Sequence, residues 1–258
     1  MLSTIATYKM ISGNLTRSLE STSKQPQIAR EAEYYLSKIG KVKTIDDFLA
    51  DRRAFSFAMR AYGLDDMIDA KAFMRKVLTE GVDDPQAFAN KLADGRYREF
   101  ASAFNFKRYG EATTVFERTR QGTVDRFVRL SLESQVGATS EGARLALYFQ
   151  RKAPEITSVY KILADRNLIT VVQTALGLDP STSLMPLERQ AELIESKLDI
   201  KSLSDPKELQ KFMTRFGTMY DLNNGVGMNP IPQLLGATPS AGISMNLLQS
   251  IQRLRLGG

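Results

Sequence analysis

The chain has 258 residues, 43% of them hydrophobic, and a formal net charge of +6. That is enough apolar material to bury the core of one large domain or two small ones. Cys, His and Trp are all absent, which excludes disulfides, thiolate or imidazole metal sites, Cys nucleophiles and His-dependent triads.

No run of about 18 apolar residues occurs, so the sequence predicts no membrane insertion. The opening stretch MLSTIATYKMISGNL has no charged start, continuous apolar segment or small-residue cleavage site, so it is not read as a secretory signal peptide. Its Ile5, Tyr8, Ile11, Leu15 and Leu19 recur at helical spacing, interrupted by Gly13. Thr44 followed by Asp46 and Asp47 predicts a helix start. Asp51 predicts an N-cap, with Phe55, Ala58, Met59 and Tyr62 on one helical face and Gly63 as the stop. Helices are expected over Ala70–Leu78, Gln86–Leu92, Thr123–Leu132, Glu141–Arg151 and Leu187–Lys197. Asp84-Pro85 and Asp205-Pro206 read as an N-cap followed by proline in the first turn. Ile169–Val172 is β-branched but sits in a helical frame that Asp165 opens and Gly177 closes. The expected fold class is therefore all-α.

The chain also repeats itself. Residues Ala29–Asp65, ending FLADRRAFSFAMRAYGLD, align without a gap on Ala143–Asp179, ending ILADRNLITVVQTALGLD. The offset pairs Tyr34 with Tyr148, Asp51 with Asp165 and Gly63 with Gly177. Upstream, SLES at Ser18–Ser21 resembles SLES at Ser131–Ser134 with a slip of one residue. A period this long indicates two copies of a small domain rather than a solenoid. The expected organisation is a first helical unit at residues 1–110, a second at 115–221, and a tail at 222–258. The tail reads as a Gly/Pro/Asn-rich linker followed by a short amphipathic helix. In that helix Ile243, Leu247, Ile251 and Leu254 share one face, the expected partner-binding surface.

No pattern carries chemistry. There is no phosphate-binding loop, no dinucleotide fingerprint beyond Gly225-Val226-Gly227 in the tail, no nucleophile elbow and no calcium loop. Asp65-Asp66 and Asp83-Asp84 sit at helix boundaries, where capping accounts for them. The Asp-Arg steps at Asp51 and Asp165 read as a cap beside a surface arginine. FKRYGEATTVFERTR, from Phe106, has aromatic residues at core spacing. The 35 Lys and Arg are interleaved with 29 acids, which predicts a solvated helical surface rather than a nucleic-acid stripe. No catalytic, cofactor or metal residue is expected.

The paired FLADRR/ILADRN…GLD segments resemble a family of unknown function, DUF1217, found in alphaproteobacteria and often encoded among flagellar genes. The resemblance spans most of residues 1–221. It implies a helical, flagellum-associated protein and no particular activity. The duplication, whose two similar surfaces can bind two similar sites, leads to the expectation of a non-enzymatic structural or assembly protein acting through helix-mediated contacts, with flagellar components or itself as partner. The resemblance carries over no catalytic residue. The Ser/Thr-rich, acid-poor start is compatible with a signal read by the flagellar export apparatus. A cytoplasmic export chaperone and a basic nucleic-acid binder are the alternatives to a structural component.

Overall fold

A computed structural model describes residues 3–225, which are helical with no strand among them. The expected tail helix, with Ile243, Leu247, Ile251 and Leu254, lies outside the described residues. The chain opens with α1 (Thr4–Ser12), α2 (Leu15–Ser23) and α3 (Pro26–Ile39), followed by α4 (Ile45–Ala50), α5 (Arg52–Ala61) and α6 (Lys71–Glu80). Next come α7 (Phe88–Lys91), α8 (Gly95–Ala103), α9 (Phe106–Tyr109) and the long α10 (Gln121–Gly137). The remainder is α11 (Glu141–Lys152), α12 (Val159–Leu163), α13 (Arg166–Leu176), α14 (Leu187–Glu195) and α15 (Pro206–Asn223).

The expected punctuation is present in both repeated segments. Asp51 caps α5, accepting from the Ala54 N–H, and Asp165 caps α13, accepting from the N–H groups of Asn167 and Leu168. Each helix then stops at a glycine with positive φ, 68° at Gly63 and 64° at Gly177. After each, the next N–H reaches back to the helix, from Leu64 to Met59 O and from Leu178 to Gln173 O. Thr44 and Asp47 form a complete capping box on α4. Asp205 and Pro206 open α15 as expected.

Other elements differ from the sequence reading. Asp84 does not start a helix: its carboxylate accepts from the Gln86 N–H in a tight turn. The helix is cut to Phe88–Lys91, and its Phe88 N–H is taken by Glu80 Oε2 at 2.6 Å. The opening stripe is two helices separated at Gly13-Asn14. The segment from Phe106, with residues expected in the core, is mostly 3-10 turns: Phe106 is buried, Tyr109 and Phe116 are half-buried, and Val115 is exposed. Threonine hydroxyls compensate for the backbone pairing this segment lacks. Thr119 donates to Thr113 O, Thr114 to Val42 O and Thr123 to Arg118 O. Tyr35 donates to Thr119 O. A buried irregular backbone requires such partners.

Two hydrophobic cores form along α10. The first is aromatic: Phe48 stacks on Phe104 at 4.9 Å and meets Phe55 edge-on at 5.4 Å, with Phe100 and Tyr62 alongside. The second is largely aliphatic, built from Leu145, Leu147, Val171, Val172, Ile194 and Met213 around Phe149 and Phe216. Val124 and Val128 of α10 enter the first core, while Leu132 and Val136 enter the second. Helix α1 places Tyr8 and Ile11 in the second core, between α11 and α15. Burying two such side chains contributes roughly 1.5–3 kcal/mol each.

Candidate functional site

Between the two cores lies a cleft of about 1460 Å³. Its floor is the middle of α10, with Arg126, Leu130 and Glu133. One wall comes from the α5 stop at Gly63 and the start of α8. The other comes from α11 and the start of α13.

Helical spacing on α11 puts Arg144, Tyr148, Arg151 and Lys152 along this wall. Glu133 of α10 is 4% exposed and holds two guanidinium groups. Arg129 Nε lies 3.0 Å from Glu133 Oε1, and Arg151 donates through Nε at 2.8 Å and Nη2 at 3.0 Å. Burial alone would lower the Arg151 pKa, but its hydrogen bonds to Glu133 reverse that and raise it. Burial likewise acts to raise the Glu99 pKa. Hydrogen bonding to Lys152, with the charges of Lys152 and Arg126, overcomes this and holds the carboxyl below its ordinary value. Glu99 is on α8 and Lys152 on α11, so this ion pair ties the two walls together. Arg151 also lies over the Tyr148 ring, 4.9 Å from its centroid. The Tyr148 hydroxyl donates to Asp165. Burial first, then that hydrogen bond, pushes the phenol pKa well up.

Each of these groups therefore already has a partner. Asp165 receives two backbone N–H groups and a phenol, which leaves no role as a base poised over open space. Asp51 is occupied in the same way, by the Ala54 N–H and the Tyr34 hydroxyl. Asp65 faces Arg60 at 3.7 Å, and Asp83 faces Arg108 at 3.3 Å. Among the described residues no His/Cys/Asp/Glu group is arranged to hold a metal ion. None of the described helices is long and apolar enough to cross a membrane.

The sequence reading did not find this cleft. The signal that could have pointed to it is Glu133, one helical turn after Arg129 on α10. The cleft's other charges look like ordinary surface residues until the fold brings them together.

The fold and site define an all-α protein with two cores along a shared helix and a cleft of paired charges between them. The chain belongs to the family described as "Protein of unknown function (DUF1217)", whose model matches residues 61–209. It is similar to the X-ray crystal structure of protein AGR_C_984 from Agrobacterium tumefaciens, with 45% identity and a TM-score of 0.80. The match covers 87% of this chain and 97% of that one. A comparison with curated proteins matched none.

Proposed function

We propose that this is a non-enzymatic structural or assembly protein associated with the bacterial flagellum, built from two copies of one helical unit and acting through protein contacts. The observation that carries the reading is the cleft. It is large enough for a polypeptide segment, and its buried charges of both signs are already paired while Arg98 and Arg166 stand exposed along it, which suits recognition of a polar protein surface more than chemistry on a small substrate. Interleaved acids also disfavour a nucleic-acid backbone as occupant. The flagellar association comes from the family resemblance, and the tail face of Ile243, Leu247, Ile251 and Leu254 is a second docking element in this reading.

The test is affinity purification of the tagged chain from motile cells, alongside a chain lacking residues 243–258 and an Arg98→Glu/Arg166→Glu variant. Both arginines are exposed and line the cleft. Recovery of flagellar components by the intact chain, reduced in either variant, supports the proposal. Recovery of an export substrate in the cytosol alone, with none in isolated basal bodies, would instead make it a chaperone. No flagellar protein with any form, and normal swimming after gene deletion, would refute it.

A further inference from the structure

Helix α10 divides its apolar side chains between the two cores, but one belongs to neither. Val124 and Val128 go to the first core and Leu132 and Val136 to the second, while Leu130 packs into neither. It shares a helical face with Arg126 and Glu133 and is left half-buried on the cleft floor. Gly63 lies beside it, with the place of an added Cβ 3.7 Å from Leu130 Cδ2, so no side chain from that position covers it.

The charges around Leu130 are unequal in sign once the internal pairs are removed. Every carboxylate lining the cleft has a partner within the fold. Glu99 and Glu133 hold cations of the floor and walls, and Asp65 faces Arg60. Glu31 pairs with Arg53, Asp94 with Arg96 and Glu155 with Lys152. Asp165 is taken up by its helix start and by Tyr148. Three cations of the lining have no carboxylate partner among the described residues: Arg98 of α8 on one wall, and Lys161 of α12 and Arg166 of α13 on the other. All three are exposed, and the Lys161 ammonium donates only to the backbone oxygen of Glu155. The uncompensated charge of the cleft is thus positive on both sides of an uncovered apolar side chain. A concave setting concentrates such a field toward an incoming anion.

We propose that the cleft receives an acidic polypeptide segment of a partner protein, with one apolar side chain seated on Leu130 and carboxylates reaching Arg98 on one side and Lys161 and Arg166 on the other. The uncovered leucine favours a polypeptide over a nucleic-acid backbone, which brings a phosphate at every step and no aliphatic side chain. The inference rests on the reading of the cleft as a protein-docking surface and is independent of the flagellar assignment.

A random peptide library displayed on phage, panned against the full chain, tests this without a known partner. The expected peptides combine Asp and Glu with one Leu, Ile, Met or Phe. Fluorescence anisotropy of synthetic copies then compares the parent with Arg98→Gln/Lys161→Gln/Arg166→Gln, with Leu130→Ala, and with a control of equal charge change at exposed positions outside the cleft, Lys41→Gln/Lys107→Gln/Lys197→Gln. Neutralising the cleft cations and truncating Leu130 should each weaken binding about tenfold, and the control less than about twofold at physiological salt. The charge variant alters only exposed side chains, so it keeps the test alive if Leu130→Ala does not fold. Cleft-dependent peptides that are basic or uncharged overturn the acidic assignment and leave the cleft a docking surface. An unchanged affinity for Leu130→Ala overturns the inference as well. Peptides weakened equally by the control, or none recovered, overturn the docking reading of the cleft too. A DNA or RNA oligonucleotide that binds through the same three cations more tightly than any peptide would make the occupant a nucleic acid and overturn it.

Discussion

In the first half, Tyr34 donates to Asp51 and lies under Arg53, whose guanidinium carbon is 4.0 Å from the ring centroid and which Glu31 holds bidentately. In the second, Tyr148 donates to Asp165 and lies under Arg151, which Glu133 holds bidentately. The tyrosine and aspartate stand 114 positions apart in the two halves, but the ion pair does not. The counterpart of Arg53 is Asn167, that of Arg151 is Ser37, and that of Glu31 is Leu145. What recurs at fixed spacing is a phenol bracing a helix cap. The arginine and carboxylate have been supplied twice from different helices.

The difference lies in burial. The side chains of Arg53 and Glu31 are 47% and 28% exposed, whereas those of Arg151 and Glu133 are 23% and 5% exposed. A solvated pair is worth at most about 1 kcal/mol, but removing one partner of a buried pair leaves an uncompensated charge. Glu133→Ala should therefore destabilise the protein by about 3 kcal/mol, since it strands both Arg129 and Arg151. Glu31→Ala should cost less than about 1 kcal/mol. Urea midpoints at constant m-value would show this, and equal costs would mean that the Glu133 network is hydrated.

The two helix stops offer a comparison in which the halves should agree. Gly63 and Gly177 both hold positive φ, and an added Cβ at either would meet its nearest neighbour at 3.7 Å. Space is available, so only backbone strain acts. Gly63→Ala and Gly177→Ala should each cost roughly 1–2 kcal/mol by thermal or urea unfolding. A gap between them larger than about 0.5 kcal/mol would show that one stop is also held by its neighbours.

A third contrast has the opposite sign. Gln150 occupies the position of Leu36, and its buried Oε1 has no hydrogen-bond partner among the described residues. Restoring the apolar residue removes that unmet acceptor. Gln150→Leu should raise stability by about 1 kcal/mol. A loss instead would reveal a bound water or partner group at that oxygen.

These comparisons show why the sequence was legible only in part. Caps and stops are local: Asp51, Asp165, Gly63 and Gly177 act within a few residues of themselves, so their spacing announces them. The all-α class follows from the same signals. The Asp84 turn was misread because an aspartate before proline serves a turn as well as a helix start. Choosing between them depended on Glu80, which reaches Phe88 across the turn. The cleft depends on Glu133, Arg151, Glu99 and Lys152 meeting across three helices, and nothing within any one helix encodes that meeting. The crossing of α1 into the second core was equally silent, because Tyr8 and Ile11 form an apolar stripe whichever core receives them.

The ion pair across the cleft gives the finest test. Glu99 joins the α8 wall to Lys152 and Arg126, and these partners hold its pKa below the ordinary value of 4.5 despite the opposing effect of burial. A carboxylate with a depressed folded pKa stabilises the native state above its unfolded pKa. That contribution is lost as pH falls through the lower, folded value. Its window therefore opens near pH 4.5 and extends downward. Because Glu99 is one third exposed, Glu99→Gln should cost only about 0.5 kcal/mol at pH 7. The parent and the variant should converge as the pH drops below that window, because the parent has then also lost the charge. Acid titrations of stability for the two chains, run side by side, measure the convergence. A gap that persists undiminished into strong acid would mean that Glu99 acts through packing across the cleft rather than through its charge.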